Sequence, residues 1–62
     1  MMTLEVKNTQ GKSLHVETFN TQYEAKNQAI RMCGYAGFLK FVKERGGDIT
    51  ASNSKYKVDI MY

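Results

Sequence analysis

The chain has 62 residues, 42% of them hydrophobic and 24% charged, with one cysteine, one histidine and a formal net charge of +3. These values fit one small globular domain spanning residues 1–62 and argue against disorder. They exclude an internal disulfide, and the sequence offers neither a Cys/His cluster at metal-ligand spacing nor an apolar run near the ~18 residues of a membrane span.

A chain this short buries about 60% of the surface its unfolded form exposes. Small cores of this kind commonly need a staple or a partner copy. No staple is evident, so self-association, most simply as a dimer, is expected. The segment Met1-Met2-Thr3-Leu4-Glu5-Val6-Lys7 lacks the basic and apolar regions of a signal peptide. With a lone thiol, that leads to the expectation of a cytoplasmic protein.

The charge is unevenly placed. In residues 1–30, Lys7, Lys12 and Lys26 balance Glu5, Glu17 and Glu24. In residues 31–62, Arg31, Lys40, Lys43, Arg45, Lys55 and Lys57 outnumber Glu44, Asp48 and Asp59. The whole excess lies in the C-terminal half. It reads either as a surface for an acidic partner or as charge that keeps a small domain soluble.

The first segment predicts a β-hairpin. Leu4 and Val6 alternate with Glu5 and Lys7, and Leu14 and Val16 with His15 and Glu17, the period of a half-buried strand. A three-residue loop, Thr9 to Gly11, would set Val6 opposite Leu14 and Leu4 opposite Val16. It would also supply Gly11 at a left-handed position. This register sets Glu5 beside His15 on the outer face.

A helix follows. Thr21-Gln22-Tyr23-Glu24 is a capping box. Ala25, Ala29, Met32 and Cys33 recur on one face, and Gly34 is a natural C-cap. The stretch Tyr35 to Gly47 is open between two readings. Phe38, Phe41, Val42 and Arg45 are spaced for a second helix, which is favoured because a strand would mix apolar groups and charges on both faces. The composition also suits a strand, with Arg45-Gly46-Gly47-Asp48 as a hairpin turn. The last strand is clear: Tyr56, Val58, Ile60 and Tyr62 share one face. Asp48 to Ala51 is its candidate hairpin partner across Ser52-Asn53-Ser54. The expected fold class is α+β, one sheet covered by helix on one face.

Catalytic chemistry finds no support. His15 sits on an exposed strand face beside Glu5 with no pocket to exclude water. Cys33 lies at the C-terminal end of its helix, where the dipole disfavours a thiolate. No carboxylate pair, calcium loop or phosphate-binding glycine pattern is present, and no cofactor is expected. Gly34-Tyr35-Ala36-Gly37-Phe38-Leu39-Lys40-Phe41 resembles the RNA-recognition-motif signature with one extra glycine. The insertion puts Tyr35 and Phe38 on opposite faces of a strand, so the segment reads as packed core.

Binding is the remaining role. Lys40, Lys43, Arg45, Lys55 and Lys57 are the candidate charged contacts, and Tyr56 and Tyr62 the candidate aromatic ones. Phe19, Thr21, Glu24, Ala25 and Ala29 at the helix start, followed by Ala36-Gly37-Phe38, resemble the small RNA-polymerase inhibitors of phages; phage integrase arm-binding domains share part of the same pattern. That resemblance implies a compact accessory protein that inhibits or modulates a host or defence macromolecule by binding, and it assigns no residue a role. The expected partner is a macromolecule, protein ahead of nucleic acid, with the basic half as the surface for either.

Overall fold

The computed structural model describes Met1–Tyr62 as a five-stranded antiparallel sheet with one helix packed on it. The elements are β1 (Met2–Asn8), β2 (Ser13–Phe19), α1 (Gln22–Cys33), β3 (Val42–Lys43), β4 (Ile49–Ser52) and β5 (Tyr56–Met61). Strand order is β2-β1-β5-β4-β3, so the first and last strands lie side by side in the middle of the sheet. The α+β class and the hairpin–helix–strand order read from the sequence are what the structure shows.

The core lies between α1 and one face of the sheet. Met2, Leu4 and Val6 of β1, Val58 and Ile60 of β5, and Ile49 and Ala51 of β4 meet Ala25, Ala29 and Cys33 of α1, with Leu39 closing one end. Ala25 and Ala29 have no exposed surface; their small side chains suit a close approach of helix to sheet. The other face, including Thr3, Glu5, Lys7, Val16, Thr18, Lys57, Asp59 and Met61, stays half-buried or exposed. No helix is long and apolar enough to cross a membrane.

The first hairpin keeps the expected loop but not the expected register. Asn8 and Lys12 close the loop, with Asn8 N–H donating to Lys12 O and Gly11 at φ +87°. Asn8 Oδ1 also accepts from the N–H groups of Gln10 and Lys12, each at 2.9 Å. One residue further on the register shifts: Lys7 faces Ser13, but Val6 faces His15 and Leu4 faces Glu17. Leu14 is the extra residue, a β-bulge. Val16 therefore lies on the outer face opposite Glu5, while His15 lies on the helix side, away from Glu5. A one-residue slip exchanges the two faces of a strand. It brings Phe19 opposite Met2 and packs its ring against the core. Leu14 and Val16, at the sheet's edge, are left exposed.

Helix α1 begins at the predicted cap. Thr21 Oγ1 accepts the Glu24 N–H at 3.2 Å, and the Thr21 hydroxyl donates to Glu24 Oε1 at 3.0 Å. The Glu24 carboxylate thus reaches back to the hydroxyl. Gly34 is right-handed, at φ −63°, and leads into a 3-10 turn (Gly34–Ala36); the left-handed glycine that ends the helical run is Gly37, at φ +138°.

The favoured second helix does not form. A helix through Ala36 and Gly37 would need their carbonyls for its own i to i+4 bonds. Ser54 Oγ instead donates to Ala36 O at 2.7 Å, and Asn53 Nδ2 donates to Gly37 O at 3.0 Å. Residues 37–41 run as a loop into the two-residue β3, so the strand alternative holds in short form. Arg45–Gly47 makes the β3–β4 turn, with Glu44 N–H donating to Asp48 O at 2.6 Å. The hairpin of β4 and β5 forms as expected, but Ser52 still belongs to β4, so the connection is residues 53–55, one residue later than Ser52-Asn53-Ser54.

Candidate functional site

Where α1 ends and the 37–41 loop begins, the surface opens into an apolar cleft of about 230 Å³. Ile30, Gly34, Phe38, Leu39 and Phe41 line it. Helical spacing puts Ile30 and Gly34 on one stripe, four residues apart. Gly34 keeps the floor low: an added Cβ would lie 3.5 Å from Ile30 Cγ2. Leu39 turns inward and is 5% exposed, whereas Phe38 turns outward and is 88% exposed. A large ring held almost wholly in water is the least economical feature of the chain's surface.

The loop that carries Phe38 is anchored by the β4–β5 turn. Asn53 Nδ2 holds the carbonyls of Cys33 and Gly37, and Ser54 holds that of Ala36. Behind this anchor Tyr35 and Tyr56 meet edge to face, ring centroids 5.9 Å apart, with their hydroxyls hydrogen bonded to each other. That bond, with some desolvation, raises the Tyr56 phenol above its ordinary value.

The segment that builds the cleft carries charge of one sign. Between Glu24 and Glu44 there is no carboxylate, while Lys26, Arg31, Lys40 and Lys43 lie in the same stretch. Lys26 Nζ stands 5.3 Å from the Phe41 ring centroid, a cation–π distance. Lys43 sits opposite Ile49 in the register, on the helix side of the sheet.

The residues singled out by sequence are therefore not gathered on one surface. Lys40 and Lys43 belong to the segment beside the cleft, though not on a shared helix face. Arg45 is in the β3–β4 turn, and Lys55 is in the β4–β5 turn with its N–H bonded to Asn53 Oδ1 at 3.0 Å. Lys57 lies on the opposite face of the sheet, across from Lys7. There Lys7 Nζ is 3.7 Å from both Glu5 and Asp59, so acids and bases interleave. Tyr56 is half-buried, and Tyr62 is exposed beside Gly47. The cleft residues Ile30, Phe38 and Phe41 were not singled out as a site, because Phe-Leu-Lys-Phe reads as core in either periodicity. The usable signal was the run of cations without acids around it.

His15 Nε2 lies 3.0 Å from Glu17 Oε1 on exposed strand β2. Cys33 is buried, and burial pushes its thiol pKa up, away from the reactive thiolate. No three His, Cys, Asp or Glu side chains group in a way that could hold a metal ion. No family model, curated protein or solved structure matches the chain.

Proposed function

We propose that the chain is a non-enzymatic binding protein that takes an acidic, apolar-anchored segment of another protein into the cleft between α1 and the 37–41 loop. The observation that carries this reading is Phe38, 88% exposed on the wall of an apolar cleft whose surrounding segment bears only positive charge. Exposed aromatic anchors with a polar rim are the usual composition of a protein contact. At about 230 Å³ the cleft is smaller than the ~300–1,000 Å³ of small-molecule and cofactor sites, and suits one or two anchoring side chains. Opposite charge on the partner speeds encounter and selects against basic segments. Inhibiting a host macromolecule by occupying part of its surface, the role suggested by the phage resemblance, needs nothing more than such a contact.

The test is a displayed library of peptides with an aliphatic or aromatic residue flanked by either acidic or basic residues. The acidic set is expected to be enriched by the wild-type protein and lost by Phe38→Asp, with amide shifts confined to residues near 30–41. Enrichment indifferent to peptide charge, or shifts centred on the Lys7/Lys57 face, would overturn the reading. Binding of random-sequence duplex DNA with a steep salt dependence, in place of peptide, would favour the nucleic-acid alternative.

A further inference from the structure

The sheet has two edges of very different kind. At one, β3 offers two residues; at the other, β2 offers Ser13–Phe19 with no neighbour beyond it. Long free edges are normally blunted by lysine, proline or a covering element. Strand β2 contains neither lysine nor proline. It also presents Leu14 and Val16, 50% and 58% exposed. Its guards are the bulge at Leu14 and the Glu17 carboxylate, which lies on the helix side of the sheet opposite Leu4.

The sequence of this edge is complementary to itself. When a strand pairs antiparallel with its own copy, the two-fold axis stands perpendicular to the sheet, and facing residues must share a face. Within the regular part of β2 the axis can pass through His15, Val16, Glu17 or Thr18. Through Thr18 it would set each Glu17 carboxylate against a Phe19 ring and leave His15 without a partner on the second strand. Through Glu17 it would set two carboxylates opposite each other, and through His15 two imidazoles; like charges directly opposite are destabilising. Through Val16 it sets His15 against Glu17 of the second copy, twice, with Val16 against Val16. In the single chain His15 Nε2 already lies 3.0 Å from Glu17 Oε1. The two pairs then form a four-group cluster in which unlike groups are neighbours along and across the strands.

We propose that β2 pairs antiparallel with β2 of a second copy, centred on Val16, joining two five-stranded sheets into one with both helices on the same face. The pairing satisfies the unpaired main-chain groups of the edge and covers Val16 on the outer face. It also supplies a small core with the additional burial that chains of this length commonly need. It is separate from the cleft and stands whether or not the cleft binds a partner.

Sedimentation across a range of concentrations is expected to give twice the monomer mass of 7.1 kDa for the wild type. Val16→Lys, which opposes two ammonium groups at the axis, is expected to give the monomer mass with an unchanged far-UV spectrum. Cysteine substitution reads the register. At the axis the two Cα atoms stand about 4.5–5.5 Å apart, within disulfide reach. Val16→Cys is therefore expected to oxidise to a covalent dimer. Thr18→Cys, its two copies about 13 Å apart along the strands, is expected not to. Buried Cys33 stays out of the reaction, with the parent protein as control. A wild type that is monomeric at every concentration would overturn the proposal. So would a dimer that survives Val16→Lys, or Thr18→Cys crosslinking as fast as Val16→Cys. A foreign strand adding to this edge would leave the purified protein monomeric, which is the first of these results.

Discussion

The side-chain amide of Asn53 donates to the main-chain oxygen of Cys33 at 2.8 Å, tying the β4–β5 turn to the last turn of α1. The same nitrogen reaches Gly37 O, and Asn53 Oδ1 accepts from the N–H groups of Lys55 and Tyr56 at 3.0 and 2.9 Å. One side chain thus fixes its own turn and the two carbonyls, of Cys33 and Gly37, on either side of the Gly34–Ala36 turn. Each such bond contributes roughly 1 kcal/mol net, and an orphaned part-buried carbonyl costs more. Asn53→Ala is expected to destabilise by about 2–3 kcal/mol. Asn53→Asp keeps the acceptor but turns a carboxylate towards two carbonyl oxygens, so it is expected to be no milder. Urea denaturation of the two variants checks this.

Gly46 and Gly47 share a left-handed backbone, φ +88° and +92°, but not the same surroundings. An added Cβ at Gly46 meets nothing within 4 Å; at Gly47 it would lie 2.6 Å from Tyr62 Cε2. Gly46→Ala is expected to cost only the left-handed strain, about 1–2 kcal/mol. Gly47→Ala is expected to cost more, and Tyr62→Ala in the same chain is expected to remove the excess. A thermal double-mutant cycle measures the coupling.

How far the sequence predicted this structure depends on how local the determinants are. The Thr21–Glu24 cap, the Asn8–Lys12 loop and the β5 alternation were legible because each is set by residues within a few positions. The hairpin register was not. The loop chemistry and the alternation of Leu14 and Val16 agreed with each other, and the bulge that overrides both serves Phe19, five residues past Leu14. The 35–47 stretch was illegible for a related reason. The carbonyls that decide between helix and loop are taken by Asn53 and Ser54, whose side chains arrive from the far end of the chain. The cleft was hidden with them, since Phe38 and Leu39 differ in burial only once that loop is placed.

Alkaline pH is expected to weaken the fold through two groups. Tyr56 is raised from 10.0 by its bond to Tyr35 and by desolvation, and Cys33 is raised from 9.0 by burial. Both are neutral when protonated, so the unfolded chain ionises first. Their contribution is fully present below the unfolded values and is lost as pH rises through the folded ones. The denaturation midpoint should hold steady from neutral pH towards 9 and then fall. Tyr56→Phe removes one titrating group, and with it the Tyr35 bond. That variant is expected to start lower and decline less steeply.

Phe38 and Leu39 are adjacent, yet the structure assigns them opposite burdens. Leu39 is 5% exposed and belongs to the core, so Leu39→Ala is expected to cost about 2–5 kcal/mol, the range for deleting a buried leucine. Phe38 is 88% exposed, so Phe38→Ala removes almost no folded-state packing and is expected to change stability by less than about 0.5 kcal/mol. If the cleft is a partner site, the order reverses in a binding measurement. Phe38→Ala should weaken capture of the acidic peptide at least tenfold while the protein remains as stable as wild type. Paired urea curves and peptide titrations separate the two quantities. A Phe38→Ala variant that unfolds early would place the ring in the core and remove the main support for the cleft as a binding surface.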